Sequence, residues 1–207
     1  MSGQIILGIE SAIAGGSISI RSNDIEVGSW FGDESISRAE ELLPNIDRLL
    51  RQNQIGLNDI DRIIVSIGPG SFTGIKVGLS TVFGFRAALG TRCLGISSLA
   101  ALSLLGNGEN IATAVPTGRG IICLQIFRDG TEAGPPSLIN DAEFDEAYLK
   151  TSLSFVLHGS LCDPARFPNA VDGGWNIASH LCTAADSGFA TDELRPLFVE
   201  RKSSNIR

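Results

Sequence analysis

The segment Gly68-Pro69-Gly70-Ser71-Phe72-Thr73-Gly74 carries the densest chemical signal in this chain of 207 residues. It lies between a strand-like apolar run, Arg62 to Ile67, and a long stretch of helical character. Backbone N–H groups at a helix start favour anions, so phosphate binding is one reading. The segment is not a Walker loop, which needs lysine directly after its second glycine and then serine or threonine. Here Ile75 follows Gly74, and Lys76 precedes Val77. The spacing of the dinucleotide fingerprint is absent as well. The other reading is steric, because glycines allow a sharp strand-to-helix turn with positive φ. On the residues alone both readings stand.

Histidine and cysteine offer a second chemistry. His158 precedes Cys162 by four residues and His180 precedes Cys182 by two. Two of each could bind zinc, but the spacings match no common zinc module. Cys93, Cys123, Cys162 and Cys182 sit mostly among apolar residues, so reduced core thiols are expected and no metal site. A zinc protease would show H-E-x-x-H or a comparable paired-histidine helix, which this sequence lacks. Ser11 and Ser71 have no histidine near them in sequence and no nucleophile elbow around them, and most serines occupy turn and cap positions.

The elements that must position these residues follow from periodicity. Ile5 to Ile9 reads as a buried strand, Ser17 to Arg21 alternates as a half-buried one, and Ile25 to Phe31 supplies a third. Ser37 and Glu40 have capping-box spacing, and Ala39, Leu42, Leu43, Ile46, Leu49 and Leu50 form a helical stripe. Pro44 falls inside this helix and is expected to bend it. After the strand Arg62 to Ile67, a helix runs from about Gly74 to Leu89, with Gly90 as its stop. Gly74 and Gly78, then Gly84 and Ala88, are four apart, and Ile75, Val77, Leu79, Val82, Phe83, Phe85 and Leu89 leave little of the helix polar. Interior glycines each cost up to about 1 kcal/mol of helix propensity, which points to close approach by another backbone. An apolar surface nearly all round points to burial on more than one side, inside the fold or against a partner.

Arg92 to Ile96 is a further strand and Ser97 to Leu105 a short helix, with a boundary expected at Gly106-Asn107-Gly108. Beyond it, Ile111 to Val115 and Ile121 to Phe127 read as a hairpin, Asp141 to Leu149 as a helix, Phe155 to Leu157 as a strand and Ile177 to Gly188 as a helix. Two unequal lobes follow: residues 1–105, joined by 190–207, and a smaller lobe at 106–189.

Composition bounds the function. With 43% hydrophobic and 19% charged residues the chain is globular, and no apolar run is long enough to span a bilayer. A cytoplasmic protein without membrane contact is expected. The net charge of -7 argues against a surface that grips nucleic acid alone. The basic residues Arg195, Arg201, Lys202 and Arg207 near the end read as a solvated tail.

The loop Gly68 to Gly74 with its glycine-rich helix resembles the hallmark of the TsaB (YeaZ-like) family. Ile6-Leu7-Gly8-Ile9-Glu10-Ser11-Ala12, Leu43-Pro44 and Pro196-Leu197-Phe198-Val199-Glu200-Arg201 fit it too. The resemblance is strong over the first hundred residues and weak from Gly106 to Asp192. It implies an α/β, actin-like ATPase (ribonuclease H-like) fold with two lobes of related topology. It implies a non-catalytic subunit of the machinery that places threonylcarbamoyl on adenosine 37 of tRNA. The partners it implies are a TsaD-type catalytic subunit, a TsaE-type ATPase and a second copy bound through the same surface, with tRNA touched only indirectly. The shared surface would come from the first two helices, with Arg38, Leu42, Ile46, Leu49, Gly74, Gly78, Val82 and Phe85 as candidates. Glu10, Ser11, Gly68, Gly70, Ser71, Thr73 and Gly74 would be the remains of a phosphate loop. Glu10 stands where active relatives carry aspartate, and Pro116-Thr117-Gly118-Arg119-Gly120-Ile121 lacks both acids of the usual Asp-x-Arg-x-Gly-Glu. Mg–ATP therefore has no evident anchor. No tightly held cofactor is expected, and at most a weak nucleotide at a subunit junction. The competing reading is an actin-fold phosphotransferase or ATPase that uses the Gly68 to Gly74 loop.

Overall fold

The computed structural model describes residues 3–32 and 41–200. The expected cap at Ser37 and Glu40 and the interface candidate Arg38 lie outside the described residues, as do Arg201, Lys202 and Arg207.

Strands β1 (Ile5–Glu10), β2 (Ser17–Ser22), β3 (Ile25–Phe31), β4 (Arg62–Ser66) and β5 (Arg92–Ile96) form one sheet in the order β3-β2-β1-β4-β5. β1 to β3 is an antiparallel meander, while β4 and β5 run parallel to β1. The central strands read as continuous apolar runs because both faces are covered. Leu7, Ile9, Ile18, Ile20, Ile63 and Val65 point to one face, where helices α1 (Leu42–Gln52) and α2 (Phe72–Leu89) pack. Ile6, Ile64, Leu94 and Ile96 point to the other, against α3 (Ser98–Ser103) and α5 (Ile177–Thr183).

The second sheet repeats the plan. β7 (Ile121–Arg128) is antiparallel to β6 (Asn110–Gly118) and carries β8 (Thr131–Glu132) and β9 (Ser137–Asn140) on its far side. β10 (Ser154–Leu157) and β11 (Val171–Asp172) extend the sheet in parallel beyond β6. Both lobes thus lay a meander on one side of the founding strand and parallel strands on the other. Ile111, Val115, Cys123, Phe127 and Val156 share the central core with α3 and α5. On the outer face, α4 (Asp141–Lys150) buries Phe144 against Phe155 and Phe167. Five layers result: α1 and α2, the first sheet, α3 and α5, the second sheet, α4.

Three expectations change. α1 is described from Leu42, which puts Pro44 in its first turn, where a missing N–H costs no intrahelical bond, so the expected bend has no cause. The helix expected at Ile177 to Gly188 is α5 plus a 3-10 turn at Ala184–Asp186. α5 also leaves the second lobe. Ala178 N–H donates to Ser17 Oγ at 3.0 Å on β2, so the return to the first sheet begins about a dozen residues before the expected 190.

Candidate functional site

A cleft of about 200 Å³ lies where the two lobes meet. Ala12, Ile13 and Ala14 of the β1–β2 turn and Ser71 of the glycine loop line one side. Pro116, Thr117 and Gly118 of the β6–β7 turn, His158 and Ser160 beyond β10, and Trp175 line the other. Each parallel strand ends at this edge, which is where an open α/β sheet leaves room for a ligand.

Glu10 lies behind the β1–β2 turn, out of solvent. Its side chain is 1% exposed, and Oε1 accepts from Ala12 N–H at 2.5 Å and Ile13 N–H at 2.9 Å. Burial raises its pKa to about 7, and the two amide donors only partly offset the cost of desolvating the charge. Across the cleft, burial lowers the pKa of His158 to about 4, so its ring is neutral at pH 7. His158 Nδ1 accepts from Ser160 N–H at 3.2 Å and lies 2.8 Å from Ser160 Oγ, which leaves the proton on Nε2. The ring stands edge-on to Trp175, with centroids 5.2 Å apart.

The glycine loop packs against the β1–β2 turn and α3. Ser71 N–H donates to Ala12 O at 2.7 Å, and Gly68 O accepts from Ser98 N–H at 2.9 Å. Ser71 also caps α2, with Oγ accepting from Gly74 N–H at 3.3 Å. A Cβ at Gly70 would collide with the Ala12 carbonyl and one at Gly74 with the Ser11 carbonyl, while one at Gly78 would collide with Ser11 Oγ. Leu197 N–H closes the loop from outside by donating to Ile67 O at 2.7 Å. Of the two readings of this segment, the steric one therefore accounts for its backbone.

The residues present do not fit a magnesium nucleotide. Among the described residues no lysine or arginine lines the cleft, and its volume falls below the roughly 300–1,000 Å³ of ordinary ligand pockets. The carboxylate of Glu10, behind the β1–β2 turn, is held by that turn's own amides. Among the described residues no three His, Cys, Asp or Glu side chains gather as a metal would require. His180 Nε2 is 2.8 Å from the Gly173 carbonyl, and Cys93, Cys123 and Cys182 are buried free thiols.

The second candidate is the outer face of α1 and α2. The structure moves it off the residues that periodicity selects. Leu42, Ile46, Leu49 and Val82 are core, with exposures of 4%, 1%, 5% and 0%. Gly74 and Gly78 face the chain's own β1–β2 turn, and Phe85 is half-buried. The glycines of α2 thus admit a close neighbour, but for the first pair that neighbour is Ser11 and Ala12. What faces solvent is Phe72, Lys76, Ser80, Phe83 and Ala87 at helical spacing, with Gly84 and Ala88 beside them and Leu43 on α1. Phe72 and Phe83 are 54% and 40% exposed, and a Cβ at Gly84 would meet nothing among the described residues. Lys76 Nζ stands 3.9 Å from the Phe72 ring centroid, Arg86 covers Phe83 at 4.9 Å, and Phe72 stacks with Phe198 at 4.9 Å. α2 contains no acidic residue, so an acidic chain here presents an apolar and basic face. The signal in the sequence was the second apolar stripe of α2, which periodicity merges with the first.

Among the described residues no helix is long and apolar enough to cross a membrane. The family described as TsaD, tRNA N6-adenosine threonylcarbamoyltransferase, matches residues 34–134. An uncharacterized protein of Mycobacterium leprae is 26% identical over 133 residues, 62% of this chain and 37% of the relative. The tRNA threonylcarbamoyladenosine biosynthesis protein TsaB of Haemophilus influenzae is 32% identical over 83 residues, 38% of this chain and 35% of the relative. The protein of that name from Escherichia coli is 28% identical over 110 residues, 53% and 47% respectively. The chain thus spans about a third to a half of the length of these relatives. YeaZ from Pseudomonas aeruginosa superposes with a TM-score of 0.69 at 20% identity, over 95% of this chain and all of that one. The ethanolamine utilization protein EutJ from Carboxydothermus hydrogenoformans gives 0.51 at 11% identity, over 88% of each. At these identities the likeness is one of fold, and the fold is the two-lobed, actin-like α/β architecture.

Proposed function

We propose, for a chain that belongs to the TsaB/YeaZ-like family, that it is a non-catalytic partner subunit in the making of threonylcarbamoyladenosine at position 37 of tRNA, and that it binds and activates a TsaD-type transferase. The observation that carries this reading is the outer face of α2, where, among the described residues, Phe72, Phe83, Gly84 and Ala87 are exposed on a well-packed helix. Exposed aromatic rings beside small residues are what a close helix–helix contact requires, and aromatic side chains anchor interfaces. Lys76 and Arg86 at its edges would select an acidic rim on the partner. In this reading a second copy competes for the same face, a TsaE-type ATPase joins the assembly, and tRNA is reached through the partner. The chain works in the cytoplasm and holds no cofactor tightly. Any nucleotide sits at the subunit junction.

Co-expression with a TsaD-type subunit tests the reading. Phe83→Glu should abolish co-purification and the stimulation of transfer. Its unfolding free energy should stay within about 0.5 kcal/mol of the wild type, because the site is exposed. Charges at Ile46 or Val82 would be uninformative, since both are core and would unfold the lobe. A Phe83→Glu chain that binds as well as the wild type, or a transferase fully active without this chain, would sink the proposal. Sedimentation of the isolated wild type and Phe83→Glu separates self-association from partner binding on the same face.

A further inference from the structure

The β1–β2 turn holds an anion of its own. Ala12 and Ile13 line the cleft, and the N–H groups of both donate to the carboxylate of Glu10, which lies beneath them out of solvent. We infer that Glu10 is a built-in occupant of this turn, taking the two amide donors a phosphate would need and so barring polyphosphate ligands from the cleft between the lobes.

Three further observations point the same way. First, the incoming phosphate would find no compensating charge. Among the described residues the opposite wall offers Pro116, Thr117, a glycine and a neutral His158, and no lysine or arginine lines the cleft. Two anions in contact without a cation between them are strongly disfavoured where water is scarce. Second, two donors of the neighbouring loop are taken as well. Ser71 N–H is bonded to Ala12 O, and Gly74 N–H to Ser71 Oγ. Third, the turn cannot slide to free its amides. Gly70 of the loop and Gly74 of α2 press against Ser11 and Ala12, and Ser11 Oγ donates to Gly74 O at 2.9 Å. Glu10 is one methylene longer than aspartate. Its Oε1 accepts from the N–H groups two and three residues on. The role assigned to Glu10 concerns the isolated chain and stands or falls apart from partner binding.

Tripolyphosphate is the probe, because it carries the charge of a nucleotide tail without a base. Calorimetry at pH 8 should give no heat of binding with the wild type in the millimolar range. Glu10→Ala, which frees both amides, should bind at least about tenfold more tightly than the wild type. Glu10→Gln keeps an acceptor on the same two donors and should stay silent. A wild type that binds tripolyphosphate, or a folded Glu10→Ala that binds no better, overturns the inference. If Glu10→Ala does not fold, the Ala12 and Ile13 amide signals of the wild type decide by NMR. They should move as Glu10 ionises and stay still when tripolyphosphate is added. Amides that ignore Glu10, or that respond to tripolyphosphate, overturn it equally.

Discussion

Gly74→Ala should destabilise the protein by about 3 kcal/mol, while Gly84→Ala in the same helix should stabilise it by about 1 kcal/mol. Intrinsic propensity favours alanine at both positions, so the opposite signs must come from the surroundings. At Gly74 a methyl group would run into the Ser11 carbonyl oxygen and lie 3.0 Å from Ala12 Cα. These atoms are backbone, and Glu10, Ser71 and the Ser11 hydroxyl all hold that turn in place. Relief would require α2 to move off the sheet and uncover Ile75, Leu79 and Val82. At Gly84 nothing among the described residues lies within reach of a Cβ. Urea unfolding of the two variants reads the difference directly. A Gly74→Ala protein as stable as the wild type would mean that α2 is not clamped on the β1–β2 turn. Gly84→Ala has a second use. If a partner helix crosses α2 there, the more stable variant should bind the partner less well.

Glu10 and His158 should give opposing pH dependences that nearly cancel in the wild type. The carboxyl of Glu10 is raised from its ordinary 4.5 to about 7 by burial. The folded state therefore holds its proton more tightly, and the contribution is complete below pH 4.5 and lost as pH rises through 7. His158 is lowered from 6.5 to about 4, also by burial. Its contribution is present above pH 6.5 and is lost as pH falls through 4. Each amounts to about 3 kcal/mol at 1.36 kcal/mol per pH unit, with opposite slopes over the shared window. Burial lowers His180 as well, in the same sense as His158.

Glu10→Gln removes one side of the balance and keeps an acceptor for Ala12 and Ile13. Stability of this variant should rise steadily between pH 4 and 6.5. At pH 8 it should exceed the wild type by about 3 kcal/mol, and at pH 4 the two should be nearly equal. Guanidinium chloride unfolding across this range measures both slopes. A Glu10→Gln profile that tracks the wild type throughout would show that the buried carboxylate carries no such cost.

The order of the longer elements was legible in the sequence because it depends on local causes, whereas the short strands β8, β9 and β11 were not. Alternation and apolar runs located β1 to β5, Gly90 marked the end of α2, and the hairpin β6–β7 announced the second lobe. The glycine loop, too, was recognisable from residue types, and so was the kinship it signals. Local pattern stopped at sidedness. A helix that is apolar on two faces does not say which face meets its own sheet, so Leu42, Ile46, Leu49 and Val82 read as docking residues although they are core. Phe72 and Phe83, the rings left in solvent, could not be told from their buried neighbours. The same limit hid the site. Ala12, Ser71, Pro116, His158 and Trp175 are brought to one cleft by two sheets folding against α3 and α5, and no spacing along the chain encodes that meeting. The sequence alone determined that Glu10 stands where β1 ends. Only the tertiary structure decided what it does there, because the cost of burying its charge and the donors that answer it come from the packing of the turn against α2.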